Sequence, residues 1–222
     1  MARTADGGFS LWDLPTRVFH WSVACCIPLS WWSAETDRYD LHSWVGYTVI
    51  VLVVTRVVWG FIGSRHSRFS DFVVGPGRVL AYLRGEGYAS AGHNPLGGWS
   101  VLLLLSLLLL QAVSGLFNSD DVLFSGPLYY AAEPGFRDTM GVVHEVAFNV
   151  LLALVVLHIA AVLYHQLYRK ERLLQAMVRG RAEGRHGLFS PAPAWAAVVI
   201  LLLVAGALWW GLEQAPQPTP MW

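Results

Sequence analysis

The sequence has little charge and almost no cysteine. Of its 222 residues only 14% are Asp, Glu, Lys or Arg, against about 25% in an ordinary soluble domain. Acidic and basic residues cancel, 15 against 15, and no basic stretch interleaved with aromatics points to nucleic acid. The two cysteines, Cys25 and Cys26, are adjacent inside an apolar stretch. That placement argues against a disulfide framework, and no C-x-x-C-H motif is present for covalent haem attachment. Both cysteines read as small apolar core residues.

What is abundant is apolar surface. Hydrophobic residues make up 55% of the chain and Trp occurs eleven times, and Trp favours membrane–water boundaries. A helix needs about 20 mostly apolar residues to span the hydrocarbon. Five stretches qualify: Val18 to Ser33, Leu41 to Ile62, Trp99 to Phe117, Met140 to Tyr168 and Ala194 to Leu212. The first is short and contains His20, Ser22 and Ser30. Because Asp6 and Asp13 precede it and a histidine lies in its apolar part, it reads as a retained span, not a signal peptide. Length favours one compact unit. Residues 1–180 form its main membrane domain, and residues 181–222 hold an accessory helix and tail.

Charge predicts the orientation, because cytoplasmic loops collect Arg and Lys. Arg65, Arg68, Arg78 and Arg84 lie between spans two and three. Arg169, Lys170, Arg172, Arg179, Arg181 and Arg185 follow span four. The first and third connections instead hold Glu35, Asp37, Asp40, Asp120, Asp121, Glu133 and Asp138, against only Arg38 and Arg137. The N-terminus is therefore expected in the cytoplasm and the C-terminus outside. The loop from Gly63 to Gly98 is glycine-rich, with a short interfacial helix expected around Val79 to Arg84. Span five has no ionisable residue before Glu213, as befits a helix for packing or partner contact. The tail from Glu213 to Trp222 holds three prolines and is expected to be extended or disordered.

Ionisable residues inside spans are costly and become functional candidates by default. His20 lies near the cytoplasmic start of span one and His42 near the outer start of span two. Span four carries His144, His158 and His165. His144 and His158 are 14 residues apart, about 21 Å along a helix and about 40° from perfect alignment on one face. Two porphyrins stacked at different depths would need about that separation. Matching depths pairs His42 with His144 near the outer surface and His20 with His158 nearer the cytoplasm. Two axial imidazoles leave iron no open position, which suits electron transfer. His165, seven residues beyond His158 on the same stripe, competes for the place opposite His20, and spacing cannot separate the two.

Other readings are weaker. Interhelical hydrogen bonding would explain one such histidine, but not four at matching depths. An ion pathway would need carboxylates beside the histidines at mid-membrane, and only Glu145, near an outer end, is available. Arg56 lies 14 residues after His42 on about the same face. It is a candidate partner for a haem propionate or a side chain snorkelling to the interface. Gly46, one turn after His42, leaves room for a flat ring.

The residues WDLPTRVFHW (Trp12 to Trp21), LHSWVGY (Leu41 to Tyr47), RVVWGFIG (Arg56 to Gly63), GHNPLGG (Gly92 to Gly98) and HEVAFNVLLALVVLHIAAVLYH (His144 to His165) give a resemblance beyond composition. From about residue 10 to 180 the chain resembles the bacterial cytochrome b561 family, related to the cytochrome b subunits of nickel–iron hydrogenases and formate dehydrogenases. The resemblance implies an all-α integral membrane fold in the bacterial inner membrane: a four-helix transmembrane bundle holding two haem b groups, here with a fifth, C-terminal transmembrane helix. It implies His20, His42, His144 and His158 as iron ligands, favouring His158 over His165. It also implies electron exchange with the quinone pool near His93 and His165, with Asp13 and Arg17 beside that site. A periplasmic cytochrome c or the electron-transfer subunit of a larger enzyme would be the outer partner. Two further functions remain in view. One is a stand-alone superoxide:quinone oxidoreductase, whose basic outer funnel is missing from these acidic outer loops. The other is a haem-free membrane anchor, which would have no use for four candidate ligands.

Overall fold

The computed structural model describes residues 9–87, 92–120, 124–181, 187 and 189–216. Asp6, Asp121, Arg185 and the last six residues of the tail lie outside this range. Eight α-helices organise the described chain: α1 (Leu14–Glu35), α2 (Tyr39–Ile62), α3 (Phe69–Phe72), α4 (Pro76–Leu83), α5 (Pro95–Gly115), α6 (Pro134–Leu167), α7 (Leu173–Arg179) and α8 (Ala194–Glu213). Single 3₁₀ turns at Arg65–Ser67 and Tyr129–Ala131 complete them.

Local chemistry sets the helix starts. Asp13 accepts a hydrogen bond from the Thr16 amide at 2.9 Å and Pro15 occupies the first turn, so α1 begins four residues before the apolar run that announces it. Asn94 caps α5 in the same way, accepting from the Gly97 amide at 2.7 Å, with Pro95 behind it. The short helix expected around Val79 to Arg84 is present as α4. Helix α7 was not expected at all. It ends at Gly180, whose φ of +80° is a left-handed conformation of the kind that closes helices. A Cβ there would also press on the Ser10 hydroxyl and the Trp12 carbonyl, each 3.1 Å away.

Four helices, α2, α5, α6 and α8, are long and apolar enough to cross a bilayer. Helix α1 has spanning length, at 22 residues, but its Arg17, His20 and serines make it less apolar. Within the bundle α1 packs on α2, α2 on α5 and α8, and α5 on α6. Helix α2 is central: 44% of its most apolar stretch is buried, against 6% for α8. Leu202, Leu203, Trp195 and Trp210 on α8, and Val142, Val156 and Leu157 on α6, stand exposed. An apolar surface that wide belongs in lipid or against a partner.

The buried core lies at mid-height. Val23 of α1, Val49, Leu52 and Val53 of α2, Leu105 and Leu108 of α5, and Leu151 of α6 form one cluster, with Leu201 of α8 packed on its edge. Leu151 is seven residues from both His144 and His158, about 10 Å along the helix from each. The apolar layer therefore divides the bundle into two levels, named outer (at His144) and inner (at His158) after the orientation expected from loop charge.

Candidate functional site

At the outer level His42, near the start of α2, faces His144 of α6, with ring centres 6.2 Å apart and planes at 75°. At the inner level His20 of α1 faces His158 of α6, with ring centres 6.4 Å apart and planes at 51°. Helix α6 makes no packed seam with α1 or α2 comparable to its seam with α5 among the described residues. The imidazoles thus reach across a cleft. The ring facing His20 is that of His158, and His165 Nδ1 lies 3.2 Å from Glu171 Oε1.

The outer rings are held in one tautomer. His42 Nδ1 donates to the carbonyl of Ser30 at 2.9 Å, and His144 Nδ1 to the carbonyl of Gln111 at 2.9 Å. The Gln111 amide nitrogen approaches His144 Nε2 at 3.1 Å. With the proton on Nδ1, Nε2 carries the lone pair, the state in which imidazole binds a metal. The buried Nδ1 of His20 has no hydrogen-bond partner among the described residues.

These residues fit a haem better than a metal ion alone. A metal–imidazole bond is about 2 Å and a ring centre stands roughly 1 Å behind its nitrogen, so two rings sharing one ion stand about 6 Å apart. Both pairs have that separation. Among the described residues no group of three or more His, Cys, Asp or Glu could hold an ion, so the remaining bonds would come from outside the chain, as a porphyrin's four nitrogens supply them. A Cβ added to Gly46, one turn from His42, would meet no atom within 4 Å. Open space of that kind beside a candidate ligand suits a flat macrocycle.

Beneath the inner pair lies a buried polar cluster. Arg56 is 4% exposed, its guanidinium stands 5.5 Å from the Phe69 ring centre, and its Nη1 has no hydrogen-bond partner among the described residues. Burial this deep leaves snorkelling to the interface without support. Asp13, 2% exposed, accepts from Trp59 Nε1 at 2.8 Å and from the Ser67 hydroxyl at 3.1 Å as well as capping α1. Burial pushes its carboxyl up, but hydrogen bonds from Ser64, Thr16 and Trp59 outweigh it and hold the group below its ordinary value.

Arg17 turns toward α7, donating from Nη1 to the carbonyl of Val178 at 2.8 Å. His93 lies between the rings of Trp12 and Phe72, each 4.6 Å away. His93 and His165 thus occupy separate surroundings, one aromatic and one beside a carboxylate. An open groove of about 510 Å³ between α2, α3 and α5 is almost wholly apolar and has none of the histidines on its wall.

Sequence reasoning missed the groups that serve the histidines: Ser30 and Ser33 on α1, and Gln111 and Ser114 on α5. Their hydroxyls and amide inside apolar spans were the only signal. Gly115 was missed too, and a Cβ there would come within 2.9 Å of His144 Cε1.

The family model for prokaryotic cytochrome b561 matches residues 11–180. A curated relative from Bradyrhizobium diazoefficiens, "Probable Ni/Fe-hydrogenase B-type cytochrome subunit", is 23% identical over 215 residues, covering 79% of this chain and 86% of the relative. No solved structure matches significantly.

Proposed function

The chain belongs to the prokaryotic cytochrome b561 family, and on that premise we propose that it moves electrons between membrane quinone and a redox partner at the outer face. Family membership makes it a membrane b-type cytochrome with haem b as cofactor. The finer reading is two haems, one held by His42 and His144 and one by His20 and His158. The observation that carries it is the pair of ring separations, 6.2 and 6.4 Å, at two levels of one bundle. When bound, haem supplies a one-electron iron couple, and two imidazoles per iron close it to other ligands.

The protein's own groups have distinct tasks in this account. The four histidines ligate and set the depth of each haem. Arg56, with its unpartnered Nη1, offers charge-assisted hydrogen bonds to a propionate of the inner haem. His165 and His93 serve quinone near the inner haem, and His165, backed by Glu171, is placed to exchange the proton that quinone chemistry requires. Arg17 flanks that region from α1. Residues 1–180 form the haem unit, and residues 181–222 the accessory helix.

Helix α1 completes five spans, since His20 must share a level with His158 of a spanning helix. The arginine-rich connections support a cytoplasmic N-terminus and a periplasmic C-terminus in an inner membrane. The relative is named as a hydrogenase subunit, which supports an outer partner that is a subunit of a larger enzyme; a periplasmic cytochrome c has the same chemistry.

Reduction of the purified, haem-loaded protein by a short-chain quinol tests the function. Rapid reduction is expected, slowed by quinol-site inhibitors. Haems reducible by dithionite but inert to quinol would contradict it.

A further inference from the structure

The outer pair is held by a device that occurs twice, and the inner pair lacks it. On α1 the carbonyl of Ser30 accepts from His42 Nδ1 at 2.9 Å and from the Ser33 hydroxyl at 2.9 Å. On α5 the carbonyl of Gln111 accepts from His144 Nδ1 at 2.9 Å and from the Ser114 hydroxyl at 3.0 Å. Each serine lies three residues beyond its carbonyl and is 0% exposed. Each serine oxygen also lies beside the same Nδ1, at 3.5 Å for Ser33 and 3.2 Å for Ser114. Because the hydroxyl proton is committed to the carbonyl, the serine oxygen offers the ring only lone pairs. His42 Nδ1 also lies 3.3 Å from the Ser30 hydroxyl, so its N–H points among a carbonyl and two hydroxyl oxygens, and that of His144 between a carbonyl and one.

The inner rings have nothing equivalent. His20 Nδ1 is buried without a hydrogen-bond partner, and no hydrogen bond reaches His158, among the described residues. This contrast bears on ligand strength. A hydrogen bond donated by the distal nitrogen of a ligating imidazole raises its basicity and fixes its orientation. A more basic ligand favours the higher-charged ferric iron and lowers the reduction potential.

We propose that Ser33 and Ser114 are positioning residues that make the two haems unequal, holding the outer haem at the lower reduction potential. The inference rests on the ligand assignment proposed above and adds a direction to it. With the inner level at the higher potential, an electron delivered at the outer face moves downhill toward the quinone side. The duplication on two helices, each serving a ligand on a different neighbour, is what separates this from incidental serine packing.

Redox titration of the haem-loaded protein, followed in the visible spectrum and by low-spin EPR, tests it in Ser33→Ala, Ser114→Ala, Ser33→Thr, Ser114→Thr and His144→Ala. Two waves are expected in the unaltered protein, the lower one missing in His144→Ala. Each alanine variant should shift the lower wave upward and alter its EPR signal while leaving the upper wave in place. Threonine, which keeps the hydroxyl, should restore both. Loss of the outer haem in the alanine but not the threonine variants would also support the role. Loss in both kinds, an unmoved lower wave in both alanine variants, or disappearance of the upper wave in His144→Ala would overturn it. Retention of two haems in His144→Ala would instead refute the ligand assignment itself.

Discussion

Gly115 of α5 lies directly against the ring of His144, so that a Cβ there would come within 2.9 Å of Cε1. The contact is tighter than carbon atoms tolerate, and the imidazole would have to turn or shift. The outer level thus depends on a missing side chain as well as on those present.

Gly115→Ala should therefore disturb the outer haem selectively, lowering its occupancy or broadening its EPR signal while the inner haem stays intact. Gly46 gives the complementary case. Its Cβ would meet nothing within 4 Å, so Gly46→Leu should fold normally but exclude the outer haem by filling its space. Haem content per protein distinguishes the two, and full, unaltered loading in both variants would count against the proposed cleft.

Arg56 should act on the inner haem. Removing a buried cation near iron favours the ferric state, so Arg56→Gln should lower the potential of the inner haem and weaken its retention. Arg56→Lys should recover part of the potential but not the bidentate geometry. A redox titration in which the inner wave stays put would detach Arg56 from the haem.

Asp13 should govern stability in acid. Its carboxyl is held below its ordinary value by the hydrogen bonds that outweigh burial. A depressed folded value contributes stability above the unfolded value of 3.8, and that contribution is lost as pH falls through the folded value. Asp13→Ala removes a helix cap worth about 1 kcal/mol and strands the buried donors of Trp59 and Ser67, at about 1–3 kcal/mol more. Thermal unfolding in detergent at neutral pH should show a loss of about 2–4 kcal/mol in total. Asp13→Asn should lose less and flatten the acid limb of the stability profile.

His165→Ala and His93→Ala should slow quinol-driven reduction while leaving haem content and dithionite reducibility unchanged. His165→Gln, which keeps a hydrogen bond but no titratable proton, should bind quinol and still reduce slowly. Stopped-flow reduction at a series of quinol concentrations separates these cases. Unchanged rates in both alanine variants would remove them from the quinone site.

Much of this arrangement was legible in the sequence because a bilayer simplifies the problem. Long apolar runs announced α2, α5, α6 and α8 to within about six residues, and boundaries moved most, by four to six residues, where Pro15, Pro95 and Pro134 start helices outside the hydrophobic stretch. The 14-residue interval on α6 and the alternation of loop charge were enough to bring His42 level with His144 and His20 level with His158. Spacing left His165 open as a rival, and its contact with Glu171, six residues away in a turn that periodicity does not describe, is seen only in the structure. Helix α7 is short and packs against α6, tied to α1 by the Arg17 bond to Val178. The Asp13 cluster joins residues about 50 positions apart. The carbonyls of Ser30 and Gln111 carry no side-chain signature at all. Groups brought together by the backbone path, as these are, become visible only in three dimensions.

The central claim is that four histidines hold two haems in two pairs, and haem stoichiometry in single variants tests it most directly. Reduced-minus-oxidised spectra and extracted haem should give two haem b per chain in the unaltered protein. His42→Ala and His144→Ala should each lose the same haem, and His20→Ala and His158→Ala the other. One haem per chain in the unaltered protein, or undiminished haem in His158→Ala, would contradict the account.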